Sequence, residues 1–163
     1  MNRLAKGLLA FIVLGIFALA APAQADWFYM HGTGAHFQEM TNIVSYGYYG
    51  NGLLFTQKKG TTSYVQIPIP NPANNDWSVS EIWIHYSTGS PNAKITQIDV
   101  WDGAYRFRTI SGKWQGHAKI IKFKLGAKYQ IHQGLNITIT TTVTGGSDLD
   151  FGIDGVGANI TDK

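Results

Sequence analysis

Apolar and polar residues alternate along most of this chain, and the alternating runs are broken by turn residues at intervals of roughly 8–12 positions, the spacing of an antiparallel all-β domain. Leu135 to Thr144 is the clearest run. Leu135, Ile137, Ile139 and Val143 point one way, and Asn136, Thr138, Thr140, Thr142 and Thr144 point the other. Side chains switch faces at each residue of a strand, so one face of this run is buried and the other is wet. Gly145-Gly146 permits a reversal, after which Leu149, Phe151 and Ile153 alternate with Asp148, Asp150, Gly152 and Asp154. The two runs read as a hairpin. Val156 to Ile160 extends the second after a bulge at Gly155 or Gly157.

A second hairpin is predicted where Lys94–Trp101 leads through Asp102-Gly103, a type I′ turn dipeptide, into Tyr105–Ile110. A third joins Ile43–Tyr49 to Leu53–Gln57 through Asn51-Gly52. Val79–Ser87 carries Ile82, Ile84 and Tyr86 on one face and Glu81, Trp83 and His85 on the other; Ala118–Leu125 alternates in the same way. Tyr64–Ile69 is strand-like, but the prolines at 68, 70 and 72 lack a ladder donor, which sends it to an edge or into a loop. Residues 71–76 form the longest expected loop. No repeat and no linker stands out. Antiparallel hairpins in one modest domain predict an all-β, two-sheet β-sandwich of jelly-roll type, with a barrel as the second choice.

The first 25 residues read differently. Arg3 and Lys6 precede an uncharged apolar run from Leu8 to Ala21, Pro22 ends it, and Ala23-Gln24-Ala25 sets small residues where a signal peptidase cuts. That order predicts a cleaved signal peptide. The run falls short of the about 20 apolar residues that span a bilayer, and no other stretch is apolar enough. The expectation is a secreted or periplasmic protein without stable membrane insertion after processing. Residues 26–163 then form a single domain of 138 residues, large enough for a core without disulfides. There is no cysteine to form one, and lipoprotein attachment is excluded on the same ground. The net charge of +3 falls to +1 once Arg3 and Lys6 are removed, which gives no argument for a nucleic-acid partner.

Catalytic and metal signatures are weak. The five histidines (His31, His36, His85, His117, His132) include no His-x-His pair of the kind that cupins resemble. Glu81 and His85 share a strand face but stand roughly 13 Å apart at the rise of a strand. His31 and His36, in a glycine-rich segment, have no third ligand in sequence. Asp148, Asp150 and Asp154 invite a calcium reading, yet an EF-hand loop needs glycine at its sixth position, where Ile153 stands. Alternation accounts for the same carboxylates as a wet, edge-guarding strand face. There is no Gly-x-Ser-x-Gly elbow, and no carboxylate pair is marked for glycoside hydrolysis. No cofactor is expected. Arg106 and Arg108 are expected to share one strand face, Lys122 and Lys124 another, and the four form an anion-holding patch only if their strands are neighbours.

Aromatic residues change the picture most. Trp27, Trp77, Trp83, Trp101 and Trp114, together with Tyr46, Tyr48 and Tyr49, exceed what the core needs. Trp83 lies on the polar side of its strand beside Glu81 and His85. An aromatic ring next to polar side chains stacks on the apolar face of a sugar while its neighbours hold the hydroxyls. Trp83, His85, Trp101, Trp114, Arg106 and Arg108 are therefore the candidate ligand-binding residues. The predicted function is a non-catalytic binding domain for carbohydrate or another cell-surface component. A structural or protein-interaction subunit at the cell surface or in the periplasm is the alternative, and a small hydrolase comes third. Oligomeric state is not legible in the sequence.

The block Trp83-Ile84-His85-Tyr86-Ser87-Thr88-Gly89-Ser90-Pro91, with Ala93, Ile95 and Val100-Trp101-Asp102-Gly103 after it, resembles a segment of small uncharacterised bacterial β-sandwich proteins. The piece from Phe151-Gly152-Ile153 to Gly157-Ala158 is similar to their last strand. Turn and core residues carry the likeness, so it implies a fold and transfers neither an activity nor a site.

Overall fold

The computed structural model describes residues 25–72 and 77–162. The signal-peptide expectation for residues 1–25 lies outside them except at Ala25, as does most of the expected loop. Among the described residues the chain runs through β1 (Ala25–His31), a single 3-10 turn (Gly32–Gly34), β2 (His36–Phe37), β3 (Ile43–Tyr49), β4 (Gly52–Gln57), β5 (Thr62–Pro68), β6 (Trp77–Thr88), β7 (Ala93–Asp102), β8 (Tyr105–Trp114), β9 (Lys119–Ile131), β10 (Leu135–Val143) and β11 (Leu149–Asp162). None of these elements is a helix long and apolar enough to cross a membrane.

The strands form two antiparallel sheets rather than one barrel. The larger has the order β3-β4-β11-β6-β9, with β1 also on β11; the smaller has the order β2-β5-β10-β7-β8. Alternation fixes which residues face inward. Ile82, Ile84 and Tyr86 of β6 and Phe151, Ile153, Val156 and Ala158 of β11 meet Val65 and Ile67, Ile95, Ile98 and Val100, and Ile137 and Ile139 from the other sheet. Burying each large aliphatic side chain contributes about 1.5–3 kcal/mol, which is why the period of two decides the fold. Phe55 and Phe151 stack at 5.2 Å in the same core.

The core also holds one polar clasp. Gln57 of β4 is fully buried, its Oε1 accepts a hydrogen bond from the Thr141 hydroxyl at 2.6 Å, and its Nε2 donates to the Thr61 carbonyl at 2.8 Å. Buried amides and hydroxyls are tolerated when they are paired, and this pair ties the two sheets together.

β11 is the spine of the larger sheet. Along one edge it pairs with β4 through Leu149–Ile153 and then with β1 through Gly155–Thr161; along the other it pairs with β6. The change of partner coincides with a register shift at Asp154. A bulge was expected one or three residues later, at Gly155 or Gly157.

Three local expectations need correction. β10 and β11 do not form a hairpin: they lie in different sheets, and residues 144–148 carry the chain across the sandwich. Both strands have one apolar face, so each can bury it from either side of the gap, and the glycines allow the crossing as readily as a reversal. Second, the β7–β8 loop is Gly103-Ala104, with Asp102 paired to Tyr105; only Gly103 has a positive φ (+55°), as in a type II′ turn rather than I′. Asp102 is thereby free to accept hydrogen bonds from the backbone N–H groups of His132, Gln133 and Gly134 at 2.9, 2.6 and 3.0 Å, fastening the β9–β10 turn. Third, a register shift in the β7–β8 ladder sets Arg106 opposite Trp101 but Arg108 opposite Val100. The two arginines therefore do not repeat one face. Lys122 and Lys124 sit on β9 in the other sheet, so the four cations are not ladder neighbours.

Candidate functional site

The outer face of the larger sheet gathers most of the aromatic and polar side chains that the core leaves over. Across its centre, Ile120, His85, Gly155 and His31 are aligned on successive strands, and Lys122, Trp83, Gly157 and Tyr29 make the next row. Trp83 and His85 thus share the predicted face, and the structure brings Trp27 and Tyr29 to them from β1. Trp83 is heavily engaged within the protein. Trp27 packs on it at 4.2 Å from the β1 side, the Lys122 ammonium lies 3.9 Å from its ring on the β9 side, and its indole N–H donates to Glu81. Trp27 and Tyr29, rather than Trp83, carry the free aromatic surface.

Tyr29 owes its position to glycine. A Cβ on Gly155 or Gly157 would come within 2.4 or 2.9 Å of its side chain, so the ring lies directly on the β11 backbone and meets His85 edge-on at 5.8 Å. Partial burial, and secondarily the negative charge of Asp154, raise the Tyr29 phenol above its ordinary value of 10.0; burial alone raises that of Tyr86. A raised phenol favours the folded state fully below pH 10.0, and the advantage is lost as the pH climbs from there through the folded value. Stability is therefore expected to fall above pH 10. Denaturant midpoints measured across that range should fall less steeply for Tyr29→Phe and Tyr86→Phe; an equal slope in both variants would refute the assignment.

Beyond His85 on the same face lies a concavity of about 390 Å³. Gly47, Leu54, Gly152 and Ser87 lie side by side across four strands and form its floor. Because Gly47 has no side chain, the Tyr49 ring folds back over it and stands as a wall. The opposite rim is His117. It is held there because the Thr88 hydroxyl accepts from Gly116 N–H at 2.9 Å and the Ser87 hydroxyl from Ala118 N–H at 3.0 Å. At one end, Ser45 donates to Thr56 at 3.2 Å, and Thr56 donates to Asp150 Oδ1 at 2.6 Å. This relay orients the carboxylate, and among the described residues Oδ2 takes no donor. The hollow thus offers one wall of exposed aromatic surface, an apolar floor and a fixed acceptor. Tyr49 was noted in the sequence, but Ser45, Thr56, Ser87 and His117 were missed. Their only signal was glycine at the outward positions 152, 155 and 157 of β11, where a polar side chain is usual.

The remaining candidates fall elsewhere. Trp101 and Arg106 lie on the outer face of the smaller sheet, where the guanidinium stands 5.4 Å from the indole and 3.7 Å from Asp99. Trp114 packs edge-on against Phe123 at 5.4 Å, at the margin of the core. Asp148 accepts from Lys59 N–H at 2.9 Å, Asp150 serves the hollow and Asp154 sits at the bulge, so the three do not converge. Among the described residues no three His, Asp or Glu side chains gather as a metal would need. His31 accepts from Thr33 N–H and caps the 3-10 turn, whereas His36 pairs with Gln66 at 3.2 Å on the other sheet.

No family model matches the chain, and no curated protein does. Solved structures do. The xylan-binding module CBM86 from Roseburia intestinalis, described as low-affinity, aligns with 83% of this chain and 96% of its own, at 9% identity and a TM-score of 0.54. The CBM36-1 domain of a multidomain xylanase from the hindgut metagenome of Trinervitermes trinervoides aligns with 82% of this chain and 96% of its own, at 14% identity and a TM-score of 0.45. At these identities what is shared is a fold, and the first of the two places this chain among β-sandwiches of that architecture.

Proposed function

We propose that the chain is an exported, non-catalytic carbohydrate-binding domain that seats a glycan in the hollow on the outer face of its larger sheet. The hollow itself carries the reading. It joins an exposed aromatic wall to an oriented carboxylate and hydroxyls over an apolar floor, and sugars need both kinds of contact. The relay from Ser45 to Asp150 positions an acceptor for sugar hydroxyls, Tyr49 presents a ring for their C–H faces, and Trp27 and Tyr29 continue the aromatic surface along the sheet. That a protein of the same architecture is described as a xylan-binding module makes xylan the first ligand to try.

Affinity electrophoresis and calorimetry on xylan and other common polysaccharides test the proposal. Tyr49→Ala and Asp150→Ala should each weaken binding by about tenfold to a hundredfold, the cost of a lost charged hydrogen bond or stacking anchor. A glycan array and tryptophan fluorescence that both stay silent would end it. One observation favours a second reading, a protein-interaction subunit: Val44, Tyr46, Tyr48 and Tyr49 are all about half exposed on β3, an edge strand. Such an edge pairs readily with another chain. Light scattering decides between them, since a strict monomer removes self-assembly through β3.

A further inference from the structure

We propose that the outer face of the smaller sheet is a second glycan-binding surface, which makes the domain bivalent. The inference rests on the carbohydrate reading above but uses none of the same residues. Its first support is burial. Thr138, Thr140 and Asp99 point away from the core, yet they are only 5%, 7% and 4% exposed. Longer neighbours on the flanking strands enclose them. Tyr64 and Gln97 stand on either side of Thr140, Gln66 and Asp99 on either side of Thr138, and Trp101 beside Asn136. The face is therefore a trough with a hydroxyl floor, amide sides and an aromatic residue near each end.

The second support is unpaired polarity. Of the four buried side-chain polar atoms that lack a hydrogen-bond partner among the described residues, three belong to this face: Trp101 Nε1, Asn136 Oδ1 and Thr140 Oγ1. Trp101 and Asn136 are cross-strand neighbours. Buried donors and acceptors are normally paired, and a row of unpaired ones suits a ligand that brings hydroxyls. Arg106, about half exposed, covers the indole of Trp101. Its loss would leave Asp99 a buried carboxylate without a counter-charge beside the ligand.

Charge and length identify the occupant. Asp99 is the carboxylate of the trough, and it is neutralised by Arg106 and held by the Thr109 hydroxyl at 2.6 Å and the Gln97 amide at 2.8 Å. Between Tyr64 and Trp101 the other side chains are uncharged hydroxyls and amides, which fits a neutral polysaccharide; Lys94 stands beyond Thr140, opposite Thr142. Tyr64 and Trp101 stand two strands apart and four residues apart in register, roughly 16 Å on the diagonal from strand spacing and rise. That span matches an extended run of sugar units rather than a single ring.

Calorimetry with xylohexaose and cellohexaose, and turbidity with soluble arabinoxylan, test this on the processed chain. The expected result is two oligosaccharides bound per chain and visible cross-linking of the polymer. Tyr64→Ala or Arg106→Ala should leave one bound and abolish turbidity, and Tyr49→Ala should do the same from the other face; circular dichroism verifies that each variant folds. One oligosaccharide per chain, lost in Tyr49→Ala but unchanged in Tyr64→Ala and Arg106→Ala, overturns the second surface and leaves the proposed function standing. One per chain lost only in the trough variants overturns bivalence and moves the glycan off the hollow. No binding by any of these glycans overturns both proposals.

Discussion

Asp102→Ala is expected to cost the fold about 4 kcal/mol. Its carboxylate is 8% exposed and accepts three backbone N–H groups from residues 132–134. Hydrogen bonds to a charged acceptor contribute about 1.5–3 kcal/mol each, less when they share one group. Alanine removes the acceptor and leaves part-buried donors that must find water. For a domain of this size the loss should lower the melting temperature by roughly 10–15 °C. Asp102→Asn keeps one carbonyl oxygen and should recover about half of the difference. Thermal and urea unfolding followed by circular dichroism measure both. A midpoint unchanged in the alanine variant would mean that the turn at 132–134 is held by something else, and the account of the β7–β8 loop would fall with it.

Gly32→Ala should be at least as damaging. A Cβ there would lie 1.8 Å from the carbonyl oxygen of Ile153, and one at Gly52 would lie 2.3 Å from the same atom. Both glycines press against β11 where it exchanges β4 for β1. The obstacle is backbone on every side, so no side chain can yield, and the 3-10 turn would have to leave the sheet. Gly52 is further confined by φ = +128°. Losses of about 3–4 kcal/mol or failure to fold are expected for either alanine variant. Gly50→Ala is the control: it lies in the same β3–β4 turn, an added methyl meets nothing within 4 Å, and its effect should stay within about 0.5 kcal/mol. Equal stability of all three variants would disprove the packing argument.

The sequence disclosed strands and faces well because burial imposes a period of two on each strand separately. Ile82, Ile84 and Tyr86 had to lie together, and they do. It did not disclose which strands share a sheet, because that depends on partners distant in the chain. β10 and β11 have identical credentials for a hairpin and still part company. The same limit governs the functional residues. Trp83 and His85 were placed on one face correctly, since they are two residues apart on one strand. Grouping Trp101 and Trp114 with them failed, since they stand on strands of the other sheet. Ser45, Thr56 and Asp150 meet only through the β3–β4–β11 ladder, and no spacing announces a relay between residues a hundred positions apart. The threonines of β10 teach a subtler lesson. Alternation gave their direction, but Tyr64, Gln66 and Gln97, supplied by neighbouring strands, decide that they are covered.

The position of β11 has a consequence for how the chain is made. β1, β3, β4 and β6 all leave the ribosome before the strand that joins them. Until Leu149–Asp162 emerges, β1 has no ladder partner at all, and the β3–β4 and β6–β9 pairs have nothing to connect them. Closing such distant pairings is entropically slow. The larger sheet therefore stays open through most of the chain's synthesis and closes only when its last strand arrives.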